Sequence, residues 1–126
     1  MEIIGIGTDI LEIERIQKLM DSFGTRFLDK ILSDSEKEYC LSRSNPATHI
    51  AGRFCAKEAV IKTLDKLIQK PSFSELEIKN SPEGKPDIYF HKNFIERFPV
   101  LNEIRIELSI SHSKTVAMAT ALSFRR

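Results

Sequence analysis

Apolar positions recur with a different period in each stretch of this chain, and the changes of period outline its elements. Ile3-Ile4-Gly5-Ile6-Gly7-Thr8 is an apolar run that reads as a buried strand within residues 2–10. The period then lengthens: Ile13, Ile16, Leu19 and Phe23 recur at helical spacing until Gly24 supplies a stop. Ser33-Asp34-Ser35-Glu36 has the form of a capping box and starts a short helix toward Arg43, closed by Asn45-Pro46. A long helix follows from about Ala47 to about Ile68, where Lys70-Pro71-Ser72 breaks it. Beyond it the pattern is one of strands. Leu76 and Ile78 alternate with polar residues, residues 80–86 have turn chemistry, and Ile88-Tyr89-Phe90 resumes an extended run, which together predict a hairpin. Phe94, Ile95 and Phe98 suit a helical turn before Pro99. Ile104, Ile106, Leu108 and Ile110 then alternate strictly, as do Val116, Met118, Thr120 and Leu122 with alanines opposite, so residues 112–115 join a second antiparallel pair. Helices first and strands later give an α+β fold, a mostly antiparallel sheet packed with a long helix.

Two charges break the long helix's own pattern. With Phe54 at zero and ~100° per residue, Ile50, Ile61, Leu64 and Ile68 form a stripe between about −80° and −20°. Lys57 falls near −60°, inside that stripe, and Glu58 near +40°, on its border. Charged groups are costly to bury unless paired or metal-bound. Asp9 raises the same question, because it ends the apolar run of the first strand.

Length and composition narrow the setting. The 126 residues suit one domain, and 41% hydrophobic with 29% charged residues is ordinary globular composition. Lys+Arg at 19 against Asp+Glu at 18 gives a net charge of +1, which demands neither nucleic acid nor a membrane surface. No apolar run approaches the ~20 residues of a membrane span and the amino terminus lacks a signal-peptide pattern, so a cytoplasmic protein is expected. Cys40 and Cys55 do not have the spacing of a zinc site, and Cys55 reads as packing.

The ordinary structural role for Asp9 is to cap the first helix, and for Glu58 to pair with Lys62 at i,i+4. The functional alternative makes both ligands of Mg²⁺, which takes oxygen donors and commonly only one or two carboxylates, leaving positions for water and substrate phosphates. Arg53, Lys57 and Lys62 then supply cations for phosphate around the same helix. There is no Ser-His-Asp arrangement and no Walker-type glycine loop.

Gly5-Ile6-Gly7-Thr8-Asp9-Ile10 and Gly52-Arg53-Phe54-Cys55-Ala56-Lys57-Glu58-Ala59-Val60-Ile61-Lys62 resemble the two signature motifs of the bacterial holo-[acyl-carrier-protein] synthases, the short class of 4′-phosphopantetheinyl transferases. Gly84-Lys85-Pro86 and Ser109-Ile110-Ser111-His112-Ser113 resemble that family's later landmarks, in order. The resemblance implies transfer of phosphopantetheine from coenzyme A to a serine of an acyl carrier protein, in support of fatty acid biosynthesis. It implies Asp9 and Glu58 as ligands of Mg²⁺, with Mn²⁺ a possible substitute, and Lys57 and Lys62 beside the reacting phosphate. It implies Arg53, Lys57, Lys62, Gly84, Lys85, Pro86, Ser111 and His112 around coenzyme A. Arg15, Arg26 and Phe27 match positions that dock the carrier, whereas Lys18 reads as a solvated charge. The short class is homotrimeric. Larger relatives carry Asp-x-Glu where this chain has Asp9-Ile10-Leu11, so the third acidic ligand is missing here. The base that takes the serine proton is left open among Glu58, Asp9 and a metal-associated water. Two rival readings use the same residues: a magnesium-dependent phosphohydrolase and a non-enzymatic nucleotide-binding module.

Overall fold

The computed structural model describes residues 1–126 and runs β1 (Glu2–Glu12), α1 (Ile13–Phe23), α2 (Thr25–Ile31), α3 (Asp34–Leu41), α4 (Pro46–Leu64), β2 (Leu76–Asn80), β3 (Pro86–Phe90), α5 (Lys92–Arg97), β4 (Ile104–His112) and β5 (Val116–Arg125). Strands β1, β5 and β4 form an antiparallel sheet in that order, and β2 with β3 makes a separate hairpin. The α+β class and both hairpins agree with the alternation of apolar positions. The return of the first strand to pair with the last, Gly7 opposite Ala121 and Asp9 opposite Ala119, has no local signal.

Small residues decide how α4 meets this sheet. Ala117, Ala119 and Ala121 are buried on the helix side of β5, and Gly5 and Gly7 take the matching positions on β1. A Cβ on Gly7 would lie 2.1 Å from the carbonyl oxygen of Ala59, and one on Gly5 2.5 Å from that of Thr63. Any side chain there would push the helix off the strand. The close approach buries α4 around most of its circumference, including Ala51, Cys55, Ala56, Ala59 and Val60. Small residues can thus bury a helix face without forming the bulky stripe that periodicity detects.

Several expectations are corrected. β1 is not buried on both faces: Ile3, Ile6 and Ile10 are 67%, 69% and 66% exposed, because only the glycine side faces α4. α4 ends at Leu64 rather than near Ile68, and α2 is a helix the pattern did not announce. Phe23, which continues the helical spacing of Ile13, Ile16 and Leu19, is 56% exposed. The capping box stands as expected: the Ser33 hydroxyl accepts from the Glu36 amide, and the Glu36 carboxylate accepts from that of Ser33.

Candidate active site

Side chains alternate along a strand, so Asp9 follows Gly5 and Gly7 on the face turned to α4. There it shares a cavity of about 240 Å³ with Glu58, with Arg15 at its edge and Leu11, Ile16 and Phe54 among its apolar walls. Neither carboxylate takes its ordinary structural role. The N-cap of α1 is Glu12, with no side-chain capping bond. Lys62 reaches away from Glu58 to β1, donating to the Thr8 carbonyl at 2.7 Å, and its ammonium lies 3.5 Å from Asp9 Oδ1. Glu58 is half-buried, and its carboxylate has no hydrogen-bond or ion-pair partner within the chain.

Cys55 is buried behind this pair with its Sγ 3.6 Å from the Ala117 carbonyl. Burial, with the Asp9 charge beside it, pushes its thiol up to about 12, so it stays protonated and offers no thiolate to a metal. Two hard carboxylates without imidazole or thiolate fit Mg²⁺ or Mn²⁺ and are a poor match for zinc.

The phosphate role expected of Lys57 is corrected. Its side chain is fully buried, and Nζ donates to the Ile31 carbonyl at 2.8 Å, to Glu36 Oε1 at 2.8 Å and to the Phe73 carbonyl at 3.3 Å. An ammonium has three protons, and all three are engaged. Glu36, only 1% exposed, also accepts from the amides of Ser33 at 2.9 Å and Ile78 at 3.0 Å. Burial draws the Lys57 pKa below its ordinary value while Glu36 pulls it back up. The charge inside the apolar stripe is therefore explained by a buried counter-charge. It ties the end of α2, the start of α3, the turn at Phe73 and strand β2 to the long helix.

Arg53, Gly84, Pro86 and His112 come together in a second cavity of about 180 Å³. Arg53 is 4% exposed; its Nη2 donates to Asn80 Oδ1 at 2.7 Å, its guanidinium lies 4.4 Å from the Tyr39 ring centroid, and its Nε is buried without a partner. Asn80 in turn donates to the Gly84 carbonyl at 3.0 Å, and Gly84 holds φ +89, a conformation that favours glycine. The Gly-Lys-Pro turn is thereby fastened to the arginine. Lys85 and Ser111 are not among the residues lining this cavity: Lys85 pairs with Glu107 at 2.7 Å, and Ser111 is exposed opposite Met118. Sequence reasoning missed Tyr39, His49 and Asn80; His49 stands four residues before Arg53 on α4, a same-face spacing that could have flagged it. Arg53 and Glu58, five residues apart, are rotated by ~140° and ~7.5 Å along the helix, so the two cavities open on different sides of it.

Of the residues matched to carrier docking, Arg15 edges the carboxylate cavity, Arg26 is exposed on α2, and Phe27 packs partly into the core. Lys18 pairs with Glu14 at 3.6 Å on an exposed surface. No helix is long and apolar enough to cross a membrane.

Fold and site together define a small α+β protein with a two-carboxylate cleft suited to a divalent metal ion and a buried arginine suited to an anion. The sequence profile of the 4′-phosphopantetheinyl transferase superfamily matches residues 5–121, and the chain belongs to that family. It is 40% identical over 120 residues to the holo-[acyl-carrier-protein] synthase of Natranaerobius thermophilus, covering 95% of this chain and 96% of that protein. The crystal structure of the synthase from Neisseria meningitidis superposes with a TM-score of 0.86 at 30% identity, over 98% of this chain and 99% of the other. That from Bacillus anthracis, in complex with CoA (3′,5′-ADP), does so with a TM-score of 0.80 at 34% identity, over the full length of both chains.

Proposed function

We propose that this chain transfers the 4′-phosphopantetheine group of coenzyme A to a serine of an apo-acyl carrier protein, releasing adenosine 3′,5′-bisphosphate. The observation that carries this reading is the meeting of Asp9 and Glu58 in one cleft, at the point where two glycines bring strand and helix together. The names of the relatives, over nearly their whole length, support the same reaction.

Asp9 and Glu58 would hold Mg²⁺, which when bound would supply positive charge to the pyrophosphate and its leaving group. The chain's own residues do the rest. Lys62, held to β1 beside Asp9, adds a cation where charge develops on the departing phosphate. Glu58, the carboxylate without an internal partner, accepts the proton of the attacking serine hydroxyl. Arg53, with its unpartnered Nε, binds the 3′-phosphate of coenzyme A beside His112. The carrier provides the nucleophile, which accounts for the lack of one in the site. It docks through Arg15 and Arg26, with the exposed Phe23 a better apolar anchor than the half-buried Phe27. The setting is the cytoplasm, in support of fatty acid biosynthesis.

The working form is a homotrimer. Ile3, Ile6, Ile10 and Met118 lie exposed on the sheet face away from α4, an apolar surface suited to a second copy. Metal and anion cavities that open on different sides of α4 suit active sites shared between neighbours. Light scattering is expected to return three chains per particle, and Ile6→Asp to give monomers with little transfer activity. A fully active monomer would refute the trimer.

Incubation with coenzyme A, Mg²⁺ and an apo carrier protein, read by intact mass, is expected to add one phosphopantetheine to the carrier. Hydrolysis of coenzyme A with the carrier unchanged would instead identify a phosphohydrolase. Coenzyme A binding with no turnover would identify a binding module.

A further inference from the structure

The proposed reaction gives no task to His49 in the second cavity. His49 is half-buried on α4, its ring 6.0 Å from Tyr39 and 6.3 Å from His112, and neither of its nitrogens has a hydrogen-bond partner in the chain. The titratable and charged groups around it are Tyr39 from α3, Arg43 from the connection to α4, Arg53 from α4 and His112 from β4. The hairpin turn contributes Gly84 and Pro86, which carry no charge. None of the residues lining the cavity is a carboxylate. Burial first, and then the charges of Arg43, His112 and Arg53, hold the His49 pKa below its ordinary value. Arg53 lines the free cavity and Arg43 stacks on the same tyrosine ring from outside the lining, so a further cation at His49 is disfavoured.

A phosphate monoester reverses that balance, because its dianion supplies the negative charge that the cavity lacks. We propose that His49 is a specificity-determining residue of this cavity: it takes up a proton as the 3′-phosphate of coenzyme A enters, so that recognition of that phosphate is linked to protonation. This rests on the reading of the cavity as the coenzyme A pocket. The sign follows from linkage: if the bound state holds more protons than the free state, affinity rises as pH falls. The gain is confined to the range above ~6, where a phosphate monoester is still largely dianionic. Dephospho-coenzyme A lacks the 3′-phosphate and escapes the effect.

The test is calorimetric titration of coenzyme A and dephospho-coenzyme A into the wild-type protein and into His49→Phe and His49→Gln, between pH 6.5 and 8. Buffers of different ionisation enthalpy report the protons exchanged. In the wild type, preference for coenzyme A over dephospho-coenzyme A is expected to rise roughly three- to tenfold from pH 8 to pH 6.5, with net proton uptake. His49→Phe keeps an aromatic ring beside Tyr39, and His49→Gln keeps hydrogen-bonding capacity; in both, whatever their affinity at pH 8, the pH slope and the proton uptake should fall. A purely structural role would weaken binding at every pH without changing the slope. Equal slopes and equal proton uptake in all three proteins would overturn the proposal. If the wild type bound both ligands equally at every pH, the assignment of the cavity to the 3′-phosphate would itself fail.

Discussion

Asp9→Asn and Glu58→Gln are each expected to lower phosphopantetheine transfer on the order of 10²–10³-fold at saturating Mg²⁺, with the fold retained. Both substitutions keep size and remove a negative charge from the proposed metal site, which depends on hard anionic oxygen donors. Little stability should be lost. Glu58 has no partner to lose, and the contact of Asp9 with Lys62 spans 3.5 Å to a half-exposed ammonium, a kind of pair worth at most about 1 kcal/mol. Steady-state transfer rates together with thermal melting followed by circular dichroism check both halves of the expectation. Near-normal transfer by either variant would remove that residue from the metal site, and a large fall in melting temperature would make its role structural.

Lys57→Ala is expected to act in the opposite way, costing about 3–5 kcal/mol of stability because it strands Glu36 as a buried, unpaired charge. That is a large share of the ~5–15 kcal/mol that holds a domain folded. Denaturant unfolding measures it. The double variant Lys57→Met, Glu36→Leu removes both charges but should recover only part of the loss, because the buried amide of Ile78 and the carbonyls of Ile31 and Phe73 lose their side-chain partners. If Lys57→Ala melted like the wild type but turned over poorly, the ammonium would belong to the reaction after all.

The contrast between Lys57 and Glu58 shows where local pattern stops. Helical spacing located both as anomalies, since a charge in an apolar stripe needs a partner. It could not say which partner. The capping box at Ser33 was legible, yet its glutamate has a second task that appears only when α3 lies against α4 and places Glu36 Oε1 2.8 Å from the ammonium of Lys57. Phosphate was a reasonable counter-charge from the linear sequence. A carboxylate 21 residues upstream was the actual one.

The motifs around Asp9 and Glu58 were equally readable, but the glycines of the first motif had a meaning that no single-strand pattern contains. Their role is to admit the backbone of α4, and that contact brings Asp9 and Glu58 into one cleft. The second cavity divides in the same way. Arg53, Gly84, Pro86 and His112 match recognisable motifs, whereas Asn80, which links the arginine to the turn, reads from the sequence only as turn chemistry, and His49 is part of no motif.

By itself the sequence determined the secondary structure in outline, the antiparallel hairpins and the list of chemically capable side chains, because periodicity, turn chemistry and residue type are local properties. Only the tertiary structure decided which charges meet, which apolar faces remain open and which cavities form. Those outcomes depend on contacts between residues far apart in the chain, and on the absence of a side chain at Gly5 and Gly7, where strand and helix touch.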